Sequence, residues 1–321
     1  MNFIKIGVIN LKIAILIPCY NEEQTIEKVI KDFKIQLPEC EIYVYDNNSK
    51  DRTFEIAKQN GVIVKKEYRQ GKGNVVRSMF MDIDADIYVM VDGDDTYPSE
   101  FVHELIKPIT TGEANMVIGD RLSNGTYKNE NKRAFHNLGN FMVKTLINKL
   151  FSSNINDIMT GYRSFDKEFV KAMPVLSEGF EIETEISIHA LDKKFLVKEI
   201  PILYRDRPEG SFSKLNTFND GLKVIKTIFT LFKDYKPLIF FSIGSLILFI
   251  LGLAVGTPVI IEFIETRFIT KLPSAVLAVG FVILSTLSLS CALILDTVVK
   301  QNKRIYELHL IQIKNQINNK N

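Results

Sequence analysis

Two long uncharged segments near the C-terminal end restrict the fold more than any other feature of this 321-residue chain. The first begins at Pro237 and reads PLIFFSIGSLILFILGLAVGTPVII, and the second runs from Pro273 to Leu295. Each contains the roughly 20 residues that a helix needs to cross about 30 Å of hydrocarbon. A buried helix of that length in a soluble protein would show a polar face. We therefore predict two membrane-spanning helices.

Charged residues around these segments predict their orientation. The loop between them, EFIETRFITK, carries mixed charge, whereas basic residues dominate the outer flanks. These residues are Lys223, Lys226, Lys233 and Lys236 before the first segment, and Lys300, Lys303 and Arg304 after the second. Because basic flanks stay in the cytoplasm, we expect a multi-pass protein of the cell membrane whose soluble part and termini are cytoplasmic. The N-terminal MNFIKIGVINLK lacks the apolar core and cleavage site of a signal peptide.

Net charge and cysteine usage argue against several classes of protein. A net charge of +2 is too close to balance to indicate nucleic-acid binding. Cys19, Cys40 and Cys291 lie far apart and form no C-x-x-C pair, which argues against a disulfide framework and against a zinc site. We expect a reducing, cytosolic environment for the soluble part.

Short apolar runs alternate with helical patterns from Lys12 to about Arg205. The runs typical of strands are KIAILIP, EIYVYD, VIVKKEY, IYVMVD and MVIGD. The helical patterns between them are EEQTIEKVIKDFK, DRTFEIAKQN, GNVVRSMFMDI and SEFVHELIKPI. This alternation predicts an α/β domain with a mostly parallel sheet and helices on both faces. Ligands of such sheets bind outside the carboxyl ends of the strands.

Polar residues follow three of the predicted strands, in PCYNEE, YDNNSKDRT and DGDDTYP. Ser49 and Asp51 in the second group also suit the start of the next helix as capping residues. Asp46 is different, because it closes a strand and faces the expected cleft. Its carboxylate can accept hydrogen bonds from the ring or ribose of a ligand.

Asp92 and Asp94, at the end of the fourth strand, have the spacing that lets two carboxylates reach one ion. Gly93 between them keeps the turn open. Magnesium and manganese take oxygen ligands, often one or two carboxylates together with substrate phosphates. The pattern therefore indicates a Mg²⁺ or Mn²⁺ site, and the alternative is a solvated, aspartate-rich turn.

Seven motifs occur in an order that resembles the family-two glycosyltransferases of the GT-A fold. They are IPCYNEE, DNNSKDRT, GKGNVVR, DGDDTYP, GDR, TGYR and RPEGSFSKLNT. Together with two C-terminal apolar helices, the chain resembles the branch that contains dolichyl-phosphate mannose synthases and polyprenyl-phosphate glucosyltransferases. The resemblance extends from about Ile13 to Leu295.

The resemblance implies a nucleotide-sugar site. Asp46 would contact the base or ribose, and Lys72 and Arg77 would lie near the nucleotide, although both also suit a basic helix start. Thr96 stands where the mannose synthases often carry a glutamine, so it is the candidate third metal ligand beside Asp92 and Asp94. The remaining residues implied to line the donor site are Pro18, Tyr20, Asn21, Glu22 and Gly93.

The implied acceptor, polyprenyl phosphate, has a second pKa of about 6 and is already an anion at pH 7. It needs its charge held rather than a strong general base, and arginine matches phosphate geometry. Arg121, Arg133 and Arg163 are the candidates for this contact, and the alternative for each is a surface ion pair.

Further residues would complete the catalytic set. Arg207 and Lys214 are expected to close over the donor diphosphate as a Gly/Ser-rich loop that excludes water. Asp157 and Glu183 occupy places where the family keeps carboxylates, and they would orient a sugar hydroxyl. The alternation of Glu181, Glu183 and Glu185 is also typical of an exposed face.

We divide the chain into an extension (1–11), a catalytic domain (12–214), a juxtamembrane helix (215–235), two spanning helices (236–297) and a cytoplasmic tail (298–321). The juxtamembrane segment TFNDGLKVIKTIFTLFKD alternates apolar residues with lysines, as in a helix that lies in the membrane interface. An ordinary packed amphipathic helix is the alternative. Two thin spanning helices per chain also favour a homo-oligomer, for example a tetramer.

The expected activity is transfer of a sugar, with inversion, from a nucleotide-diphosphate sugar to polyprenyl phosphate. The resemblance favours UDP-glucose or UDP-N-acetylglucosamine as the donor, with GDP-mannose as the alternative. A processive polysaccharide synthase would need a Q-x-x-R-W motif, and the chain has no tryptophan. A non-catalytic protein that binds a lipid phosphate is the alternative from a different class.

Overall fold

The computed structural model describes residues 11–123, 134–179, 181–205 and 229–319. The chain forms two compact units, Met1–Thr217 with Ile313–Asn321, and Phe218–Gln312. The first contains the α/β domain and the second contains the apolar helices.

A seven-stranded sheet forms the centre of the first unit. Its strands are β1 (Ile13–Cys19), β2 (Glu41–Asp46), β3 (Ile63–Lys66), β4 (Ile87–Met90), β5 (Met116–Asp120), β6 (Arg163–Asp166) and β7 (Val197–Pro201). Their order is β3-β2-β1-β4-β6-β5-β7, and β6 runs antiparallel to both of its neighbours. The other adjacent strands are parallel, which confirms the predicted mostly parallel sheet. The strands β6 and β7 were not predicted.

Seven helices of this unit lie within the described residues. They are α1 (Ile26–Gln36), α2 (Thr53–Gln59), α3 (Lys72–Asp82), α4 (Val102–Thr110), α5 (Ala134–Phe151), α6 (Lys167–Ala172) and α7 (Ile182–Asp192). In α1 the buried residues Ile26, Val29, Ile30 and Phe33 recur at the spacing of one helix face. The first four helices confirm the predicted alternation.

Parallel pairing brings the ends of three strands together. Cys19 at the end of β1 pairs with Asp46 at the end of β2. On the other side of β1, Leu16 pairs with Met90, the last residue of β4. Because parallel strands end at the same edge of a sheet, the polar segments that follow β1, β2 and β4 lie side by side.

The second unit contains the helix α8 (Pro237–Thr266) and the helix α9 (Leu272–Asn318) as far as Gln312. Both are long and apolar enough to cross a membrane, and only 11% and 17% of their most apolar stretches are buried. The hydroxyls of Ser245 and Ser285 each donate to the other residue's carbonyl oxygen at 2.9 Å. Such reciprocal contacts between small residues are typical of paired helices in lipid. Helix α9 continues to Asn318, so most of the predicted tail is helical.

Two buried tyrosines of the core differ in how their hydroxyls are satisfied. Tyr97 and Tyr162 pack with ring centroids 5.6 Å apart. The Tyr97 hydroxyl accepts a hydrogen bond from the backbone N–H of Gly161 at 3.0 Å. The Tyr162 hydroxyl is buried and has no hydrogen-bond partner among the described residues.

The substitution Tyr162→Phe should therefore leave the free energy of unfolding unchanged or slightly higher, because it removes a buried hydroxyl without a partner. Tyr97→Phe is the matched control, and it should cost about 1–2 kcal/mol because it leaves the Gly161 N–H unsatisfied. Thermal unfolding of the purified full-length variants in detergent would measure both effects. A larger loss for Tyr162→Phe than for Tyr97→Phe would contradict this assignment.

Candidate active site

The turn that follows β4 carries three aspartates, and the structure separates their roles. Lys28 of α1 binds both carboxylate oxygens of Asp95 at 2.6 Å, so Asp95 ties the turn to a neighbouring helix. Asp94 is buried and accepts a hydrogen bond from the Thr96 hydroxyl at 2.7 Å. Thr96 thus positions Asp94, and its own role as a metal ligand stays a prediction.

Lys72, the first residue of α3, bridges two carboxylates. Its ammonium donates to Oδ1 of Asp92 and to Oε1 of Glu183, each at 2.5 Å. Burial by itself would lower the pKa of Lys72, but the charges of Asp92 and Glu183 outweigh it and raise this pKa well above its ordinary value. The lysine is therefore a permanent cation between β4 and α7.

Gly161 determines how Asp92 is seated. A Cβ atom at position 161 would lie 2.5 Å from Oδ2 of Asp92, so only glycine permits this close approach. The hydroxyl of Tyr97 holds the Gly161 N–H in place. The TGYR motif predicted a role for its arginine but none for this glycine.

Arg163, the arginine of that motif, is fully buried. Its guanidinium donates to the carbonyl oxygens of Thr160 and Ile158, at 2.9 and 2.5 Å, and to the Ser187 hydroxyl at 2.9 Å. These contacts brace the loop before β6. Protein oxygens occupy these donors, and contact of Arg163 with an acceptor phosphate stays a prediction.

Arg121, after β5, forms a buried, bidentate ion pair with Asp157. Its Nε donates to Oδ2 at 2.7 Å, and Nη2 donates to Oδ1 at 3.0 Å. Although burial disfavours the charged carboxylate, the Arg121 guanidinium holds the pKa of Asp157 below its usual value. Glu199 of β7 accepts from the backbone N–H of Asp157 at 3.0 Å and so fixes this loop. Contact of Arg121 with an acceptor, and of Asp157 with a sugar, remain predictions.

Asp46 lies at the end of β2 and is fully buried. Oδ2 accepts from the Ser49 N–H at 3.3 Å, whereas Oδ1 has no hydrogen-bond partner among the described residues. A buried carboxylate oxygen without a partner is costly. A ligand N–H or O–H at this strand edge would satisfy it.

The residues after β1 connect that strand end to the turn after β2. Asn21 has a φ of 53° and accepts from the Lys50 N–H at 2.8 Å, while its own N–H donates to the Ser49 hydroxyl at 2.9 Å. The Glu22 N–H donates to the Thr53 hydroxyl at 2.8 Å. These contacts brace the strand edge at which a donor would bind.

The other predicted donor-site residues differ in exposure. Pro18 is buried within β1, and Tyr20 is half-buried just beyond it. Arg77 of α3 is also half-buried. Their contacts with a nucleotide remain predictions.

Asn47, directly after Asp46, organises the loop that leads to Lys72. Its amide nitrogen donates to the carbonyl oxygens of Glu67 and Arg69, at 3.0 and 2.8 Å. Its amide oxygen accepts from the Gly71 N–H at 2.6 Å. Asn47 belongs to the motif YDNNSKDRT, but the motif alone predicted no role for it, because its partners are distant in sequence.

Some predicted residues lie outside the described part of the chain. These are Arg133, Arg207, Lys214 and residues 215–228 of the predicted juxtamembrane helix, whereas residues 229–235 are helical. Within the described ranges, no group of three or more His, Cys, Asp or Glu side chains is arranged to hold a metal. Two carboxylates, Asp92 and Asp94, remain, and they suit Mg²⁺ or Mn²⁺ when substrate phosphates complete the oxygen ligands.

Comparison with known sequences gives matches along the chain. Residues 14–173 match the family described as glycosyl transferase family 2. Glycosyltransferase AglJ of Haloferax volcanii is 30% identical over 304 residues, which is 92% of this chain and 98% of that protein. The dolichyl-phosphate hexose transferase of the same organism is 30% identical over 217 residues, covering 67% of this chain and 92% of that protein.

Comparison with solved structures supports the fold. Glucosyl-3-phosphoglycerate synthase from Mycobacterium tuberculosis, in complex with uridine diphosphate, has a TM-score of 0.56 and 21% sequence identity. The match covers 70% of this chain and 80% of that one. Another structure of that enzyme contains Mn²⁺ and UDP-glucose, with a TM-score of 0.53 over 70% of this chain and 79% of that one.

Replacement of Asn47 by aspartate should loosen the loop 67–71, because a carboxylate cannot donate to the carbonyl oxygens of Glu67 and Arg69. Losing two hydrogen bonds of about 1 kcal/mol each should accelerate hydrogen exchange in this loop by at least about tenfold. Asn60→Asp is the control, since the Asn60 side chain donates only to Ile56 of its own helix. Equal exchange of residues 67–71 in the Asn47→Asp variant and the unmodified protein would refute this role.

Proposed function

The chain belongs to glycosyl transferase family 2, and from this premise we propose that it transfers a sugar from a nucleotide-diphosphate sugar to polyprenyl phosphate. The main support for a lipid acceptor is the pair of helices α8 and α9, whose apolar surfaces suit contact with lipid. The relative named dolichyl-phosphate hexose transferase supports the same acceptor class.

The donor binds at the shared ends of β1, β2 and β4 in this proposal. Asp46 supports it, because its buried Oδ1 offers an acceptor for an N–H of the base or a hydroxyl of the ribose. Pro18, Tyr20, Asn21 and Glu22 border the same edge. Lys72 and Arg77, both on α3, provide positive charge for the diphosphate.

A Mg²⁺ or Mn²⁺ ion held by Asp92 and Asp94 would neutralise the charge that develops on the leaving diphosphate. The chain supports these carboxylates directly. Thr96 orients Asp94 through its hydroxyl, and Gly161 leaves room for Asp92. Arg207 and Lys214 close over the same diphosphate and exclude water.

The acceptor needs no general base, since its phosphate is already ionised at pH 7. Arg121 and Arg133 hold this phosphate, and Asp157 keeps the Arg121 guanidinium rigid through two hydrogen bonds. Glu183 orients a sugar hydroxyl. Holding the acceptor next to the donor accelerates the transfer, because the two reactants are already oriented within one complex.

The transfer step breaks one bond and forms one. A phosphate oxygen of the acceptor attacks the anomeric carbon from the face opposite the leaving group, and the bond between that carbon and the β-phosphate oxygen breaks. The bonding electrons leave with the nucleoside diphosphate. An α-linked donor therefore gives a β-linked, lipid-phosphate sugar, with UDP-glucose or UDP-N-acetylglucosamine as the preferred donor and GDP-mannose as the alternative.

The catalytic unit lies on the cytoplasmic face in this proposal, because basic residues flank the outer ends of both apolar helices. Nucleotide sugars would reach it there. A lipid phosphate stays at the bilayer surface, so the enzyme must be held at that surface as well.

The decisive experiment incubates the purified full-length protein with undecaprenyl phosphate and each of the three labelled donors, and measures label that enters the lipid extract. Asp94→Asn should lower this transfer at least about 100-fold, since a lost charge at the metal site costs several kcal/mol. Asp95→Asn is the matched control and should retain most activity, because Asp95 pairs with Lys28.

Addition of a chelator should stop the same transfer. If none of the three donors gives label in the lipid extract, the proposed function is wrong. Full activity of Asp94→Asn, or full activity in chelator, would overturn its metal-dependent step alone.

A further inference from the structure

Three charged side chains from distant parts of the chain meet in one cluster, which we call the Lys72 cluster: Lys72, Asp92 and Glu183. Lys72 begins α3, Asp92 follows β4, and Glu183 lies in the first turn of α7. One ammonium bridges the two carboxylates, with both contacts at 2.5 Å. The ammonium thus sits on the same carboxylate that a divalent ion would use.

We propose that Lys72 is an internal counter-cation that competes with the divalent ion for Asp92 until a nucleotide diphosphate draws it away. The inference rests on the proposed function. Its consequence is an order of binding, because the metal binds weakly to the protein alone and tightly only together with the donor.

Competition follows from the geometry around Asp92. Oδ1 of Asp92 is taken by the ammonium, and the space around Oδ2 is restricted by the backbone of Gly161. The cluster carries one positive and two negative charges, so Lys72 has neutralised part of the field that would attract a metal. Charges so close, and largely buried, interact much more strongly than they would in water.

The lysine backbone is fixed, whereas its side chain can pivot. The Gly73 N–H donates to the carbonyl oxygen of Gly179 at 3.1 Å, and a Cβ atom at position 73 would lie 2.0 Å from the carbonyl oxygen of Ser177. The lysine stem, in contrast, has four flexible carbons. Glu183 binds the Lys72 ammonium independently of Asp92, so the ammonium keeps one carboxylate partner when it leaves Asp92.

A diphosphate is a suitable alternative partner for this ammonium. It brings negative charge to the strand ends, and lysine binds phosphate as a point charge. Transfer of Lys72 from Asp92 to the diphosphate would release the carboxylate at the moment when phosphate oxygens also become available as metal ligands. Each ligand would then strengthen the binding of the other, by the same factor in both directions.

Mn²⁺ binding to the full-length protein without nucleotide, measured by electron paramagnetic resonance, tests the inference apart from activity. Lys72→Met should raise this Mn²⁺ affinity about tenfold, because it removes one charge-assisted hydrogen bond from Asp92. Glu183→Gln should lower the affinity, because Lys72 then has Asp92 as its remaining carboxylate. Lys28→Met is the matched control and should change it less than about twofold, since Lys28 pairs with Asp95 and Asp32.

Repeating the titration with UDP measures how much UDP raises the Mn²⁺ affinity of each protein. This UDP-dependent increase should be smaller for Lys72→Met than for the unmodified protein. An unchanged or lower Mn²⁺ affinity of Lys72→Met without UDP would overturn the competition and leave the proposed function intact. Should Lys72→Met fail to fold, a Glu183→Gln variant that binds Mn²⁺ as tightly as the unmodified protein would overturn it equally. Absence of Mn²⁺ binding to the unmodified protein, even with UDP, would instead reject the metal-dependent function itself.

Discussion

Negative charge at the carboxyl end of β4 has to be balanced, and the way in which it is balanced organises the catalytic unit. Buried or half-buried carboxylates are costly unless a cation accompanies them. Lys72 pairs with Asp92, and Lys28 of α1 pairs with Asp95. Each pair ties the turn after β4 to a different helix. The sheet edge therefore keeps its shape through ion pairs as well as through packing.

Apolar periodicity was enough to predict the framework but not all of its strands. The four residues IYVM of β4 are fully buried, and they read as a strand without any tertiary information. Strand β6 has the sequence RSFD, which begins and ends with a charged residue, so its local pattern does not predict a strand. Its antiparallel pairing with β4 depends on tertiary structure. Arg163 shows the same limit for the site. The motif TGYR predicts which residue matters, whereas the direction of its side chain depends on Ser187 and on the carbonyl oxygens of Thr160 and Ile158.

The supporting contacts of the site were unpredictable for a related reason, because they join segments far apart in the chain. Lys72 and Glu183 are separated by 111 positions and meet only because α3 and α7 both begin at this edge of the unit. Asn47 likewise acts on backbone atoms some 20 residues away. Motifs predict the candidate substrate-binding residues. The residues that hold those side chains in place come from distant segments and are known only once the chain has folded.

Internal ion pairs are a poor source of stability compared with apolar packing of the same volume, so their concentration at one edge calls for another explanation. Both proposed substrates carry phosphate, and neither could approach a site of bare carboxylates. Lys72 and Arg121 keep Asp92 and Asp157 neutralised beforehand, with the cations already in place. An arriving phosphate then competes with a carboxylate for a cation instead of meeting an uncompensated negative charge. On this argument the ion pairs are retained because exchange of partners, rather than a fixed bond, is what a transfer between two anions requires.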